Sequence, residues 1–210
     1  MRTIIFDFDG TIADTFKLNI EIAHQLTGHP SLINASEVKE LKKASMIEVA
    51  KDLDIPKYMW PFLLFRGRRI MSSRLNEVKP FEGIDEVLEA LHKNGYRMYV
   101  MSTNSTKNIA YFLTSHGLSG YIKKIYGGVG LVAKAGALRK ILKQNKLKPG
   151  DAIYVGDEVR DIEAAKDVDV PVVAVAWGFN DPDRLAQEAP MVLVHNRPQL
   201  LKVLESWEIS

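Results

Sequence analysis

The sequence of 210 residues has no cysteine, which excludes a disulfide framework, a thiol nucleophile and a cysteine-ligated zinc site. Any chemistry must come from oxygen and nitrogen groups. No sign of charge dominates either: 28 basic and 26 acidic residues leave a formal net charge of +2, too little to point to nucleic acid or to a membrane surface. Long apolar runs are also missing. Only Ile4 to Phe6 precede the first aspartates, which is no signal-peptide core, and no segment approaches the ~20 apolar residues of a membrane span. The expected location is therefore the cytoplasm. There is no internal repeat or low-complexity tract, and nothing signals an oligomeric state. What remains, with 46% hydrophobic residues, is a chain able to bury a core as one large domain or one domain with a smaller insertion.

The stretch from Thr3 to Asp14, TIIFDFDGTIAD, is organised around a charge change. Thr3 to Phe6 reads as a buried parallel strand, and Asp7 and Asp9 stand where that strand emerges. Residues two apart on an extended chain project to the same side, so both carboxylates can address one ligand at the carboxyl end of a sheet. So close together they repel, and a cation, a shared proton or a basic side chain has to relieve them. Gly10 allows a sharp turn that brings backbone N–H groups toward an anion.

From Thr15 to Glu77 nothing reads as a strand. Apolar spacing predicts helices over Thr15 to Thr27, over roughly Val38 to Leu53, and over Tyr58 to Asn76. From Lys79 the pattern alternates. Helices are predicted at Ile84 to Lys93, Lys107 to His116, Gly136 to Asn145, after Gly156, and at Pro198 to Ser206. Strands are predicted at Tyr96 to Met101, Ile122 to Tyr126, Asp151 to Val155, Val172 to Ala176 and Met191 to Val194. Alternation of this kind implies an α/β fold, a doubly wound parallel sheet with Asp7 on a central strand. The expected division is a core of residues 1–14 and 79–210 with an inserted all-helical block, 15–78.

Four polar clusters follow the strands or link elements: Asp7 and Asp9, Thr103 and Asn104, Lys134, and Asp157 and Asp161. Strand ends converge on one rim of a parallel sheet, so these groups can share a pocket. Taken singly, Asp157 and Asp161 also suit a helix N-terminus, Thr103 a turn, and Lys134 a solvated surface. Together they resemble the haloacid dehalogenase superfamily of phosphohydrolases. That family has an Asp-x-Asp-Gly-Thr motif, a Ser or Thr after the second strand, a distant Lys and a Gly-Asp-x-x-x-Asp motif. The stretches PFEGIDEVLEALHKNGYRMYVMSTN and IYVGDEVRDIEAAKDVDVPVVAVAWGF are most similar to its phosphoglycolate-phosphatase-like branch, and the helical block resembles the family's cap in its first insertion point.

The resemblance implies a phosphatase for small phosphomonoesters. Asp7 would be the nucleophile that becomes an aspartyl-phosphate and Asp9 the general acid. Mg²⁺ would be held by Asp7, the Asp9 backbone carbonyl and Asp157, with Asp161 acting through a water. Gly10, Thr103, Asn104 and Lys134 would hold phosphate oxygens. Glu158 departs from the small polar residue common in the family, which makes it a candidate for the metal shell. Arg66, Arg68 and Arg69 form one basic cluster in the helical block, either a solvated face or a patch that meets a second negative group on the substrate. A haloacid dehalogenase would lack the acid at Asp9, and a phospho-accepting receiver would lack the helical block. A β-phosphoglucomutase-type enzyme would share the core.

Overall fold

The computed structural model describes residues 2–28, 42, 56–130 and 132–207. The helix expected over Val38 to Leu53 lies outside them apart from Lys42. Chain order begins with β1 (Thr3–Phe6), α1 (Phe16–Thr27) and α2 (Trp60–Arg74), followed by α3 (Ile84–Lys93), β2 (Arg97–Met101), α4 (Thr106–Ser115) and β3 (Ile122–Tyr126). Then come α5 (Lys134–Asn145), β4 (Ala152–Gly156), α6 (Val159–Lys166), β5 (Val172–Val175), α7 (Pro182–Gln187), β6 (Val192–Val194) and α8 (Arg197–Ser206). The boundaries fall close to those read from the sequence. Helix α7, which Asp181 caps by accepting from the Asp183 N–H, has no counterpart in that reading.

The six strands form one parallel sheet in the order β3-β2-β1-β4-β5-β6. Strand side chains alternate between its faces. Ile4, Phe6, Met98, Val100, Ile153 and Val155 pack with α3, α4 and α8, whereas Ile5, Tyr99, Met101 and Tyr154 pack with α5, α6 and α7. Covered on both faces, the inner strands β1 and β4 are buried throughout and apolar nearly so, whereas the edge strand β3 exposes Lys123 and Lys124. The order places β1 between β2 and β4, where the winding reverses, and open α/β sheets bind ligands at such a point.

Helices α1 and α2 pack together beyond this carboxyl edge. The two chain segments that join them to the sheet run side by side: the Phe81 N–H donates to the Ile12 carbonyl at 3.0 Å and the Asp14 N–H to the Lys79 carbonyl at 2.9 Å. Asp14 itself is exposed. No helix of the described residues is long and apolar enough to cross a membrane.

Candidate active site

Asp7 leaves β1 as its N–H donates to the Val155 carbonyl of β4 at 2.8 Å, which sets it beside Asp157 at the end of β4. Candidate ligand atoms of Asp7, Asp157 and Asp161 lie within 4.8 Å of one another, and all three residues are buried. Residues far apart in sequence thus meet at one rim, as convergence of strand ends requires.

Helix α5 begins at Lys134, two residues earlier than its apolar pattern indicates, and this first turn carries the Lys134 side chain inward. Its ammonium, 2% exposed, lies 3.2 Å from Asp7 Oδ2 and also bonds Asp161 Oδ1. Burial opposes its charge, but the two carboxylates, Asp161 and Asp7, raise its hold on the proton above the usual lysine range. The same Asp161 oxygen accepts from the Tyr154 hydroxyl at 2.9 Å, and Oδ2 accepts from the Glu158 N–H at 3.0 Å. Asp161 is therefore held by three donors and fixes Lys134 against Asp7.

Asp157 is held by the Thr11 hydroxyl on Oδ1 at 2.8 Å and by the Phe179 N–H on Oδ2 at 2.7 Å. Two glycines make room for it. A Cβ on Gly10 would stand 2.1 Å from Asp157 Oδ2 and one on Gly178 2.2 Å from it, and Gly10 also has a positive φ of 82°. The Gly10 N–H donates to the Ala13 carbonyl at 2.9 Å and the Asn104 N–H to Ser102 Oγ at 2.9 Å. Gly10 serves the site by what it leaves empty.

Around Asp9, the Ser102 hydroxyl donates to Oδ2 at 3.1 Å and the Asn104 amide to Oδ1 at 3.3 Å. Burial raises the Asp9 carboxyl above the usual range, with Thr15, Ser102 and Asn104 acting the other way through hydrogen bonds. The hydroxyl that reaches the site after β2 is Ser102, 1% exposed; Thr103 is half-buried and not part of this network. The strand register decides between them, since Met101 is the last residue of β2 and Ser102 emerges beside Asp9.

Asp7 carries the largest unmet demand. Burial lifts its carboxyl to about 8 despite Lys134, and its Oδ1 is buried with no partner. Burial likewise lifts Asp157 well above the carboxylate range, and Asp7, Glu158 and Asp161 add to the effect. An orphaned oxygen beside further hard oxygen donors fits a small divalent cation such as Mg²⁺. Glu158 is not one of the clustered ligands: both of its oxygens accept from Arg160, each at 2.6 Å. Of the three arginines in the helical block, Arg66 is exposed over the Phe62 ring and Arg69 is exposed. Arg68 is half-buried and within the field of Asp9; its Nε is buried with no partner and its Nη2 makes only a long bond, 3.4 Å, to the Val129 carbonyl.

Comparison with known proteins agrees with this geometry. A family model described as haloacid dehalogenase-like hydrolase matches residues 4–175. Phosphoglycolate phosphatase from Synechococcus elongatus is 31% identical over 206 residues, which cover 97% of each chain. Pyrophosphatase PpaX from Listeria monocytogenes is 23% identical, covering 99% of this chain and 98% of its own. Among solved structures, a haloacid dehalogenase-like family protein from Streptococcus pneumoniae, 24% identical, superposes with a TM-score of 0.78 over 96% of this chain and 97% of its own. A predicted phosphatase from Clostridium acetobutylicum, 20% identical, reaches 0.83 over 97% and 98%. At such identities the structural likeness shows a shared fold.

Proposed function

The chain belongs to the haloacid dehalogenase-like hydrolase family, and from that premise we propose that it is a Mg²⁺-dependent phosphatase of small phosphomonoesters, phosphoglycolate among the candidates, acting through an aspartyl-phosphate on Asp7. That it is a phosphoric monoester hydrolase rests on its family and its phosphatase relatives. The finer reading rests on one juxtaposition: Asp7, with one oxygen near Lys134 and the other without a partner, stands at a rim shared with a second acid, Asp9, whose proton burial favours.

An Asp7 oxygen attacks phosphorus in line, the P–O bond to the alcohol breaks, and Asp9 gives the leaving oxygen its proton. Water then attacks the aspartyl-phosphate, Asp9 takes back a proton, and phosphate leaves with Asp7 restored. Lys134 neutralises phosphate oxygens throughout, and Asp161 with Tyr154 holds its ammonium in place. Thr11 and the Phe179 N–H keep Asp157 turned toward the cluster. A Mg²⁺ ion, held by Asp7, Asp157 and the Asp9 carbonyl with Asp161 behind a water, would supply positive charge where the transferring phosphoryl group develops negative charge.

Residues 15–78 act as a lid on this reading, with the paired segments Ile12 to Asp14 and Lys79 to Phe81 as its hinge. Closure excludes water and limits substrate size. Phosphate release from phosphoglycolate, sugar phosphates, pyrophosphate and phosphopeptides, with Mg²⁺ and with excess chelator, tests the proposal. Small monoesters should be hydrolysed only with the metal. Full activity in chelator, or a preference for phosphopeptides, would refute it.

A further inference from the structure

We propose that the buried Glu158–Arg160 pair tunes the acidic cluster to one divalent cation, with Arg160 as the positioning residue that keeps Glu158 out of the metal shell. The inference rests on the metal reading above and goes beyond it, since it assigns a role to two residues that the family's motif leaves open.

Among the described residues, the buried acids are Asp7, Asp157, Glu158 and Asp161, and the buried bases are Lys134 and Arg160. With all four acids ionised, as a bound cation requires of its ligands, four negative charges against two positive ones leave two, the amount a single divalent ion neutralises. The pairing apportions them. Lys134 spans Asp161 and Asp7, whereas the hydrogen bonds of Arg160 go to Glu158: Nε donates to Oε2 and Nη2 to Oε1, both at 2.6 Å. Without Arg160 the cluster would carry three negative charges.

Glu158 borders the cluster: it follows Asp157 in the chain, its own N–H is bonded to Asp161 Oδ2, and its field acts on both Asp7 and Asp157. At 3% exposure it is buried with its arginine rather than solvated. The planar fork of a guanidinium engages both carboxylate oxygens at once, which a lysine ammonium does not. Stability alone does not account for the pair. A buried ion pair is weak support for a fold, and this one leaves Arg160 Nη1 buried without a partner. The pair does alter the charge and ligand number that the ion meets, which are the quantities that set Mg²⁺ against Ca²⁺ preference.

The test is calorimetric titration of the full chain, stripped with chelator, with MgCl₂ and with CaCl₂, while circular dichroism monitors folding. Arg160→Gln frees Glu158 and should raise Ca²⁺ affinity about tenfold or more, shifting preference from Mg²⁺ toward the ion that accepts more oxygen ligands. Glu158→Gln removes a negative charge and should weaken binding of both ions by a similar factor, so the rule can be read even if Arg160→Gln does not fold. The double variant should return to wild-type selectivity. Unchanged affinities in the folded single variants would overturn the proposal, as would a double variant no closer to wild type than Arg160→Gln. A wild-type protein that binds neither ion would overturn the metal reading itself and this inference with it.

Discussion

Gly10 and Asp157 are separated by 147 positions yet compete for the same space: a Cβ on Gly10 would lie 2.1 Å from the Asp157 Oδ2 atom. The residues follow β1 and β4, adjacent strands whose ends form the site. Gly10→Ala should therefore displace Asp157 and add backbone strain at φ 82°, a left-handed conformation that costs an L-residue about 1–2 kcal/mol. We expect a lower Tm and a greater proportional loss of metal affinity. Wild-type metal binding in this variant would show that Asp157 tolerates the methyl group and is not fixed by it.

The two leading aspartates should fail differently. Asp7→Asn should abolish covalent labelling of the protein by phosphate, whereas Asp9→Asn should retain labelling and slow turnover by about 10²- to 10⁴-fold, the usual range for a general acid or base. Rapid-quench experiments separate the two. Labelling of Asp7→Asn equal to wild type would remove Asp7 from its role.

Tyr154 and Lys134 share one acceptor, Asp161 Oδ1. Replacing Tyr154 with Phe removes only the hydroxyl, and a hydrogen bond to a charged group contributes about 1.5–3 kcal/mol. Lys134 then loses its fixed position, so inhibition by inorganic phosphate should weaken more than the thermal stability falls. Equal inhibition by phosphate in wild type and variant would make Tyr154 a core residue only.

Much of this arrangement was legible in the chain, because strand ends in a parallel sheet converge and each polar cluster follows a run of apolar residues. Asp7, Asp9, Lys134, Asp157 and Asp161 needed only that rule and the family's motifs. Choosing Ser102 over Thr103 needed more. Both hydroxyls are plausible by spacing, and the last bonded residue of β2 decides which of them enters the pocket. At Gly10 the sequence showed the turn but not the close approach, since a Cβ there would meet the side chain of Asp157, 147 positions away. The Glu158–Arg160 bond and the Tyr154 hydroxyl left no mark on periodicity, because each is a contact fixed by three-dimensional packing.

The metal-free protein should lose stability as pH rises. The folded chain holds the Asp7 proton up to about 8, whereas an unfolded aspartate releases it near 3.8. Between these values the folded state binds more protons, so unfolding free energy falls with increasing pH and levels off above the window. Burial also raises Asp9 and Asp157, which adds to the same trend. Mg²⁺ competes with these protons and should flatten the profile. The check is Tm against pH in chelator and in Mg²⁺; a metal-free Tm that climbs from pH 5 to 8 would contradict the burial argument.

The three arginines that the sequence could only group differ in their surroundings. Arg66 and Arg69 face solvent, and an exposed cation contributes little that salt does not screen. Arg68 is half-buried, lies in the field of Asp9 and keeps a buried Nε with no partner, so part of its charge is desolvated without a carboxylate bonded to it. A substrate whose second anionic group sits opposite its phosphate would meet that demand, and a charge-assisted bond there contributes about 1.5–3 kcal/mol. Arg68→Ala should thus lower kcat/KM for phosphoglycolate by roughly one to two orders of magnitude while leaving a neutral aryl phosphate nearly unaffected. Arg66→Ala and Arg69→Ala should change neither. If all three variants discriminate between the two substrates as wild type does, the second charge is read elsewhere, and Arg68 serves only to seat α2 against the loop that carries Val129.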